Sequence, residues 1–406
     1  MNKNEQTVFY PKLDEFCRKY LIKGAPITKA DEMLGPQRFG DIKKSLFEHF
    51  LLFDSISFKV CGENVPLAFM LSAFGKKGLD ALIEQGAIRF VHWTQNIVHA
   101  VQDIDGINAL GYGKLTSEAH CDPEKSVALA AQWMPQLTKK ELTALVNKIV
   151  PLYSQPREGL AETAVKATDS AFHSGKLTGL GLDPEKIKIT AVPLSMRKLM
   201  GKCADEVFEY SLLQEGRMTS LSNFEYFYLF NETAIRIANI SKTTDGFKQI
   251  AQTQDIPDFK IIFDSVESPL LNVPKIRNKR SSRKFRAWLA GAVSGESGHS
   301  VTREYTEAVA EGKGFFQKNT GKITKAVATT TIGAGLATVL DARLETAVIA
   351  SLAASKVVDP LVDLGLDLLD TYVLDGLTKG WTPKLFFDDL ERWVSESKKT
   401  NSVASR

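Results

Sequence analysis

Ser297 and His299 stand two residues apart in GESGH, and a hydroxyl near an imidazole is the pairing that nucleophilic hydrolysis needs. The spacing does not deliver it. A G-x-S-x-G elbow requires glycine where His299 stands, so the stretch reads as a connector. GINALGYGKLT contains Gly113 and Lys114, yet a phosphate-cradling loop would put its first glycine at Asn108 and its hydroxyl at Leu115. Metal chemistry fares no better: His92 and His99 are seven apart, His120 and Cys121 are adjacent, and His49, His173 and His299 stand alone. None has the helical i, i+4 or the C-x-x-C spacing that preorganises ligands. Asp388, Asp389 and Glu391 lie in the first turns of a predicted helix, where the helix dipole explains them. No catalytic, cofactor-binding or metal-binding residue emerges, no cofactor is expected, and catalysis would require a site assembled from distant residues.

Charge is more informative. Lys275, Arg277, Lys279, Arg280, Arg283, Lys284 and Arg286 form the densest charged run of the chain, with Phe285 and Trp288 at its end. Such a block holds phosphates of a nucleic acid, lies on an anionic membrane surface with Trp288 at the interface, or is a solvated face that pairs with acids elsewhere. Its counterpart is an acidic helical stripe, Asp359, Asp363, Asp367 and Asp370, among leucines. That stripe faces solvent, docks the basic block, or lines a polar passage if several copies assemble.

Between the two lies AVATTTIGAGLATVLDARLETAVIASLAAS, residues 326–355. Its uncharged part is shorter than the roughly 20 residues a spanning helix needs, and Asp341, Arg343 and Glu345 interrupt it. Gly333, Gly335, Ala350 and Ala354 instead allow helix backbones to approach closely. The pattern predicts a tightly packed helical hairpin, either buried in the fold or stored there for release into a membrane.

The elements that position these features read as mainly α: a helical, multi-part chain with a small α+β portion at the N-terminus. Composition is that of a globular protein of 406 residues, and a formal net charge of +3 excludes a polyanion partner for the chain as a whole. Four cysteines without C-x-x-C spacing and an N-terminus without an apolar targeting core point to reduced thiols in a cytoplasm. Residues 1–115 form the α+β portion: LDEFCRKYLI and DIKKSLFEHFLLF are amphipathic helices, while SISFKV and AIRFVHW are strands. Asn64 caps the intervening helical stretch, Gly75 and Gly78 break it and Gly86 stops it, giving strand, two helices, strand, with a parallel crossover allowed. Residues 116–273 form a helical middle region, with DPEK at Asp122 and again at Asp183 predicting helix starts, and Thr138 a further cap. Residues 274–406 form a C-terminal helical region, ending in a helix with Phe386, Phe387, Leu390 and Trp393 or Val394 on its buried stripe.

FDSISFKVCGENVPLAFML and GLDALIEQGAIRFVHW, together with DTYVLDGLTKGWTPKLFFDDL, resemble stretches of uncharacterised bacterial proteins found near phage-defence genes. The resemblance implies a bacterial cytoplasm and a part in antiviral defence or programmed arrest; it carries no site residues. The expected function is that of a non-enzymatic effector of anti-phage or abortive-infection type. Its C-terminal helices would act at an anionic membrane, as a pore-forming homo-oligomer or under a regulatory protein partner. The alternative is a nucleic-acid-binding or protein-interaction module using the basic block at 275–286.

Overall fold

The computed structural model describes residues 7–22, 25–101, 107–114, 117–134, 137–216, 218–220, 226, 259–294, 386, 389–390 and 392–395. The chain is mainly helical with a small sheet region founded on its N-terminal part. It opens with strand β1 (Thr7–Tyr10) and helices α1 (Lys12–Tyr20) and α2 (Lys29–Leu52). Strand β2 (Ser55–Val60), helix α3 (Val65–Glu84), strand β3 (Ile88–His92) and the hairpin β4 (Gln95–His99) with β5 (Leu110–Lys114) come next. After them lie α4 (Glu118–Cys121), α5 (Pro123–Ala130), α6 (Lys139–Ile149), β6 (Tyr153–Ser154), α7 (Leu160–His173), α8 (Leu194–Gly216) and β7 (Met218–Ser220). Helices α9 (Phe259–Ser265), α10 (Pro269–Asn278) and α11 (Arg280–Ser294) come next, and among the later described residues 386, 389–390 and 392–395 are helical.

Five strands form a parallel sheet in the order β6-β3-β2-β1-β7, so the expected strand, two helices, strand unit is a parallel crossover. The middle region also contributes β6 and β7 to this sheet. A parallel sheet must be covered on both faces, and here the two faces differ. Val8, Tyr10, Ile56, Phe58, Val60, Ile88 and Phe90 face the larger cluster, under α1, α2, α3 and the later helices α9 to α11. Phe9, Val91, Trp93 and Met218 face the smaller one, under α7 and α8. Period-2 alternation puts Ser55, Ser57 and Lys59 on that second side of β2, where Thr7 Oγ1 and Ser55 Oγ satisfy each other at 2.7 Å.

Local chemistry explains most element ends. Thr28 with Asp31 and Thr138 with Glu141 form reciprocal capping boxes. Asn64 Oδ1 accepts from Leu67 N–H at 2.9 Å, and Gly75, at φ 66°, kinks α3 where the sequence placed a break. The first DPEK starts α5 as expected, Asp122 accepting from Glu124 N–H. The second does not start a helix: Asp183 accepts from Glu185 N–H at 3.0 Å, but turns succeed it, so the same tetrapeptide caps a turn there.

Phe58 is fully buried between Phe50, at 6.3 Å, and Phe90, at 6.1 Å. Phe58→Ala lowers stability by about 3–5 kcal/mol, whereas Met33→Ala, on the exposed first half of α2, stays within about 0.5 kcal/mol. Urea unfolding followed by circular dichroism checks both.

Candidate functional site

The chain leaves β2 through Cys61–Asn64 towards α3 on the larger-cluster side, but leaves β3 through Trp93 towards the β4–β5 hairpin on the other. These connections part at the carboxyl ends of the strands, where the crevices of open α/β sheets hold ligands.

A directed hydrogen-bond chain lies at these ends. Ser126 Oγ donates to the Gly62 carbonyl at 2.5 Å, which leaves Tyr153 Oη, 3.1 Å away, as donor to Ser126; Asn64 Nδ2 then donates to Tyr153 at 2.6 Å. Gly62 sits at φ 74° with the His120 ring packed on its Cα, so only glycine fits without strain. Fully buried His92 donates from Nε2 to the Ala119 carbonyl at 3.0 Å. Its Nδ1 is therefore an acceptor, and among the described residues nothing donates to it. Burial, the larger cause, holds its pKa below the usual value, so the ring is neutral at pH 7.

The rim is charged. Asp14, 2% exposed, takes Arg18 Nε at 2.9 Å, and Arg18 continues to the Glu63 carboxylate at 3.4 Å and carbonyl at 3.1 Å. Burial raises the Asp14 carboxyl to about 6 against the pull of Arg18. Lys59 Nζ lies 4.1 Å from the Trp93 ring centroid. Burial works against that ammonium, but the carboxylates of Glu15, Glu209 and Asp14 around it prevail and hold its pKa above the ordinary lysine value. Burial also pushes the Cys61 thiol up to about 12, which keeps it protonated and poorly nucleophilic. Asp205, on α8, is exposed, and desolvation, partly offset by Lys59 and His99, raises its carboxyl to about 6. These groups form a buried hydrogen-bonded cluster under a charged rim, with the acceptor at His92 Nδ1 left over among the described residues. Among the described residues no group of three or more His, Cys, Asp or Glu could hold a metal ion.

The basic block is divided by the fold. Lys275, Arg280 and Arg283 are exposed, and Lys279 and Lys284 are half-exposed. Arg277 and Arg286, at 2% and 6% exposure, are removed from the contact surface that the sequence suggested. The cause is the C-terminal end of α2, whose last carbonyls need donors. Arg277 supplies them, to the carbonyls of Phe50, Phe53 and Asp54, and Arg286 buttresses it through the Arg277 carbonyl and, at 3.4 Å, the Asp54 carboxylate. Trp288 belongs to α11, its side chain outside the described residues. Gly333, Gly335, Ala350 and Ala354, like Asp359, Asp363, Asp367 and Asp370, also lie outside them, as does the Ser297–His299 loop. Among the described residues no helix is long and apolar enough to cross a membrane.

The strand-end residues carry no motif, which is why the sequence reading passed over them; the one signal was Gly62 between a strand and the Asn64 cap. Gly62→Ala costs about 1–2 kcal/mol for the left-handed backbone alone and also displaces His120, so His120→Ala recovers only the second part in thermal melts. Asp14 has a folded-state pKa above its unfolded value, so its contribution is complete below about pH 4 and is lost as pH rises through about 6. Wild type therefore gains on Asp14→Asn, a mimic of the protonated form, by up to about 3 kcal/mol as pH falls from about 7 to about 4. Urea midpoints across that range check it, and a constant difference counts against the assignment. Neither a family model, nor a curated protein, nor a solved structure matches this chain.

Proposed function

We propose that this chain is a non-enzymatic bacterial effector, of anti-phage or abortive-infection type, whose α/β body restrains a C-terminal region that acts at a membrane. The observation that carries the reading is how the two flanks of residues 295–385 are fastened. Phe285 of α11 stacks on Phe386 with centroids 4.2 Å apart and planes 10° from parallel. Ser281 Oγ donates to Asp389 at 2.5 Å, Lys279 Nζ lies 3.6 Å from the same carboxylate, and Trp393 stacks on Phe47 of α2 at 6.1 Å. Phe386, Leu390 and Val394 thereby join the larger core cluster.

In this reading the small-residue segment, 326–355, is held between two clamped points, the strand-end cluster reads the trigger, and opening the clamp frees the segment. The protein waits in the cytoplasm and becomes membrane-associated, as an oligomer that opens a pore, on activation. Small side chains suit that step because helices entering lipid associate by close packing.

Phe386→Ala removes a buried aromatic ring worth about 3–5 kcal/mol, enough to raise the released population by at least about a hundredfold. Dye-filled vesicles containing anionic lipid should leak at least about tenfold faster with Phe386→Ala/Asp389→Ala than with wild type. Absence of leakage and of flotation by a variant that remains folded by circular dichroism overturns the proposal. Binding to DNA with a steep salt dependence in that case selects the nucleic-acid module instead.

A further inference from the structure

Arg277 and Arg286 are an unequal charge arrangement in the interior. Among the described residues, two guanidiniums, 2% and 6% exposed, face one neighbouring carboxylate, Asp54; Arg286 reaches its Oδ1, while Arg277 reaches main-chain carbonyls. Nε of Arg277 has no hydrogen-bond partner among the described residues. Burial, followed by the proximity of Arg286, draws the Arg277 pKa down to about 9, and Arg286 is also lowered, burial again first. Breaking either contact leaves a desolvated charge, so the pair is tight while it stays closed. Yet its surplus positive charge is stabilised mainly by carbonyl dipoles, a weaker counterpart than an anion.

The same two arginines belong to a run whose other members look outward. Lys275, Arg280 and Arg283 are exposed on α10 and α11, with no ion pair to a described residue, and Lys279 and Ser281 bind Asp389 of the clamp. Among the described residues, Asp54 and Asp389 are the carboxylates that meet the run. Among the described residues the run of seven cations meets two carboxylates, one of which, Asp389, is also 3.6 Å from Arg392, so it is a site that a denser array of anions can outbid.

We propose that α10 and α11 form a competitive latch for an anionic lipid surface. Lys275, Arg280 and Arg283 engage headgroup phosphates first; Arg277 and Arg286 then leave the end of α2 for the same surface, and Asp389 loses Ser281 and Lys279. This rests on the membrane reading above and supplies its regulation: the surface that the C-terminal region acts upon also opens the clamp.

The test uses the full chain, with vesicles of phosphatidylcholine alone or mixed with phosphatidylserine, read by flotation and by hydrogen exchange of the amides at 49–55 and 269–290. Phosphatidylserine vesicles should float the protein and accelerate exchange in both windows, and phosphatidylcholine vesicles should do neither. Each Lys or Arg near an anionic leaflet contributes about a fivefold factor to binding, so Arg277→Met/Arg286→Met should float about twenty-five-fold less well. Asp54→Asn should open the latch at lower phosphatidylserine content. Equal flotation of the methionine variant and wild type, or wild type that floats with both windows still protected, overturns the latch. A protein that floats and loses protection but never leaks supports the latch while sinking the pore reading; leakage with both windows protected does the reverse.

Discussion

A parallel sheet has no face it can leave to water, and much of this molecule derives from that constraint. The strands are short, from two residues in β6 to six in β2, so the sheet cannot hold itself together and must be sandwiched. The segments that do so come from widely separated parts of the chain: α1 to α3 near its start, α7 and α8 from its middle, and α9 to α11 with the residues around Phe386 from its later part. Burial on the larger-cluster side therefore couples the two ends of the sequence. The polar second side of β2, with Ser55, Ser57 and Lys59, is the counterpart of that asymmetry, and it leads directly into the charged rim at the strand ends.

Arg277 extends the coupling to the backbone. A helix end inside a protein needs donors for its final carbonyls, and α2 obtains them from a side chain 227 positions further along the chain from Phe50. The end of α2 and the start of β2 are consequently organised around the same guanidinium, so the geometry of the central strand and the seating of α10 are one structural event. Ser282, which donates to the Ile276 carbonyl at 2.7 Å, and Gln85, which donates to the Pro274 carbonyl at 3.0 Å, fix the same hairpin from its other sides.

What the sequence disclosed and what it hid divide along physical lines. Ile42, Leu46, Phe47 and Phe50 announce a helix face because several turns repeat the pattern, and Thr138 with Glu141 announces a start because capping is local. Ile56, Phe58 and Val60 alternate against a polar side and were legible as a strand. β1, β6 and β7 were not: four, two and three residues are too few for a period, and Thr7–Tyr10 is buried on both sides. The second DPEK shows that a capping signal marks a turn without deciding whether a helix grows from it. Arg277 and Arg286 looked like members of a solvated run because their burial depends on a helix end remote in sequence, and the cluster at Gly62 was hidden because its neighbours His92, Ser126 and Tyr153 meet only once β3, α5 and β6 are in place.

The ring stack joins Phe285 and Phe386, both enclosed in the larger cluster, in one contact between positions far apart along the chain. The entropy of closing such a loop grows only logarithmically with its length, about 0.6 kcal/mol for each doubling. The strength of such a contact is thus almost independent of how many residues separate its partners along the chain.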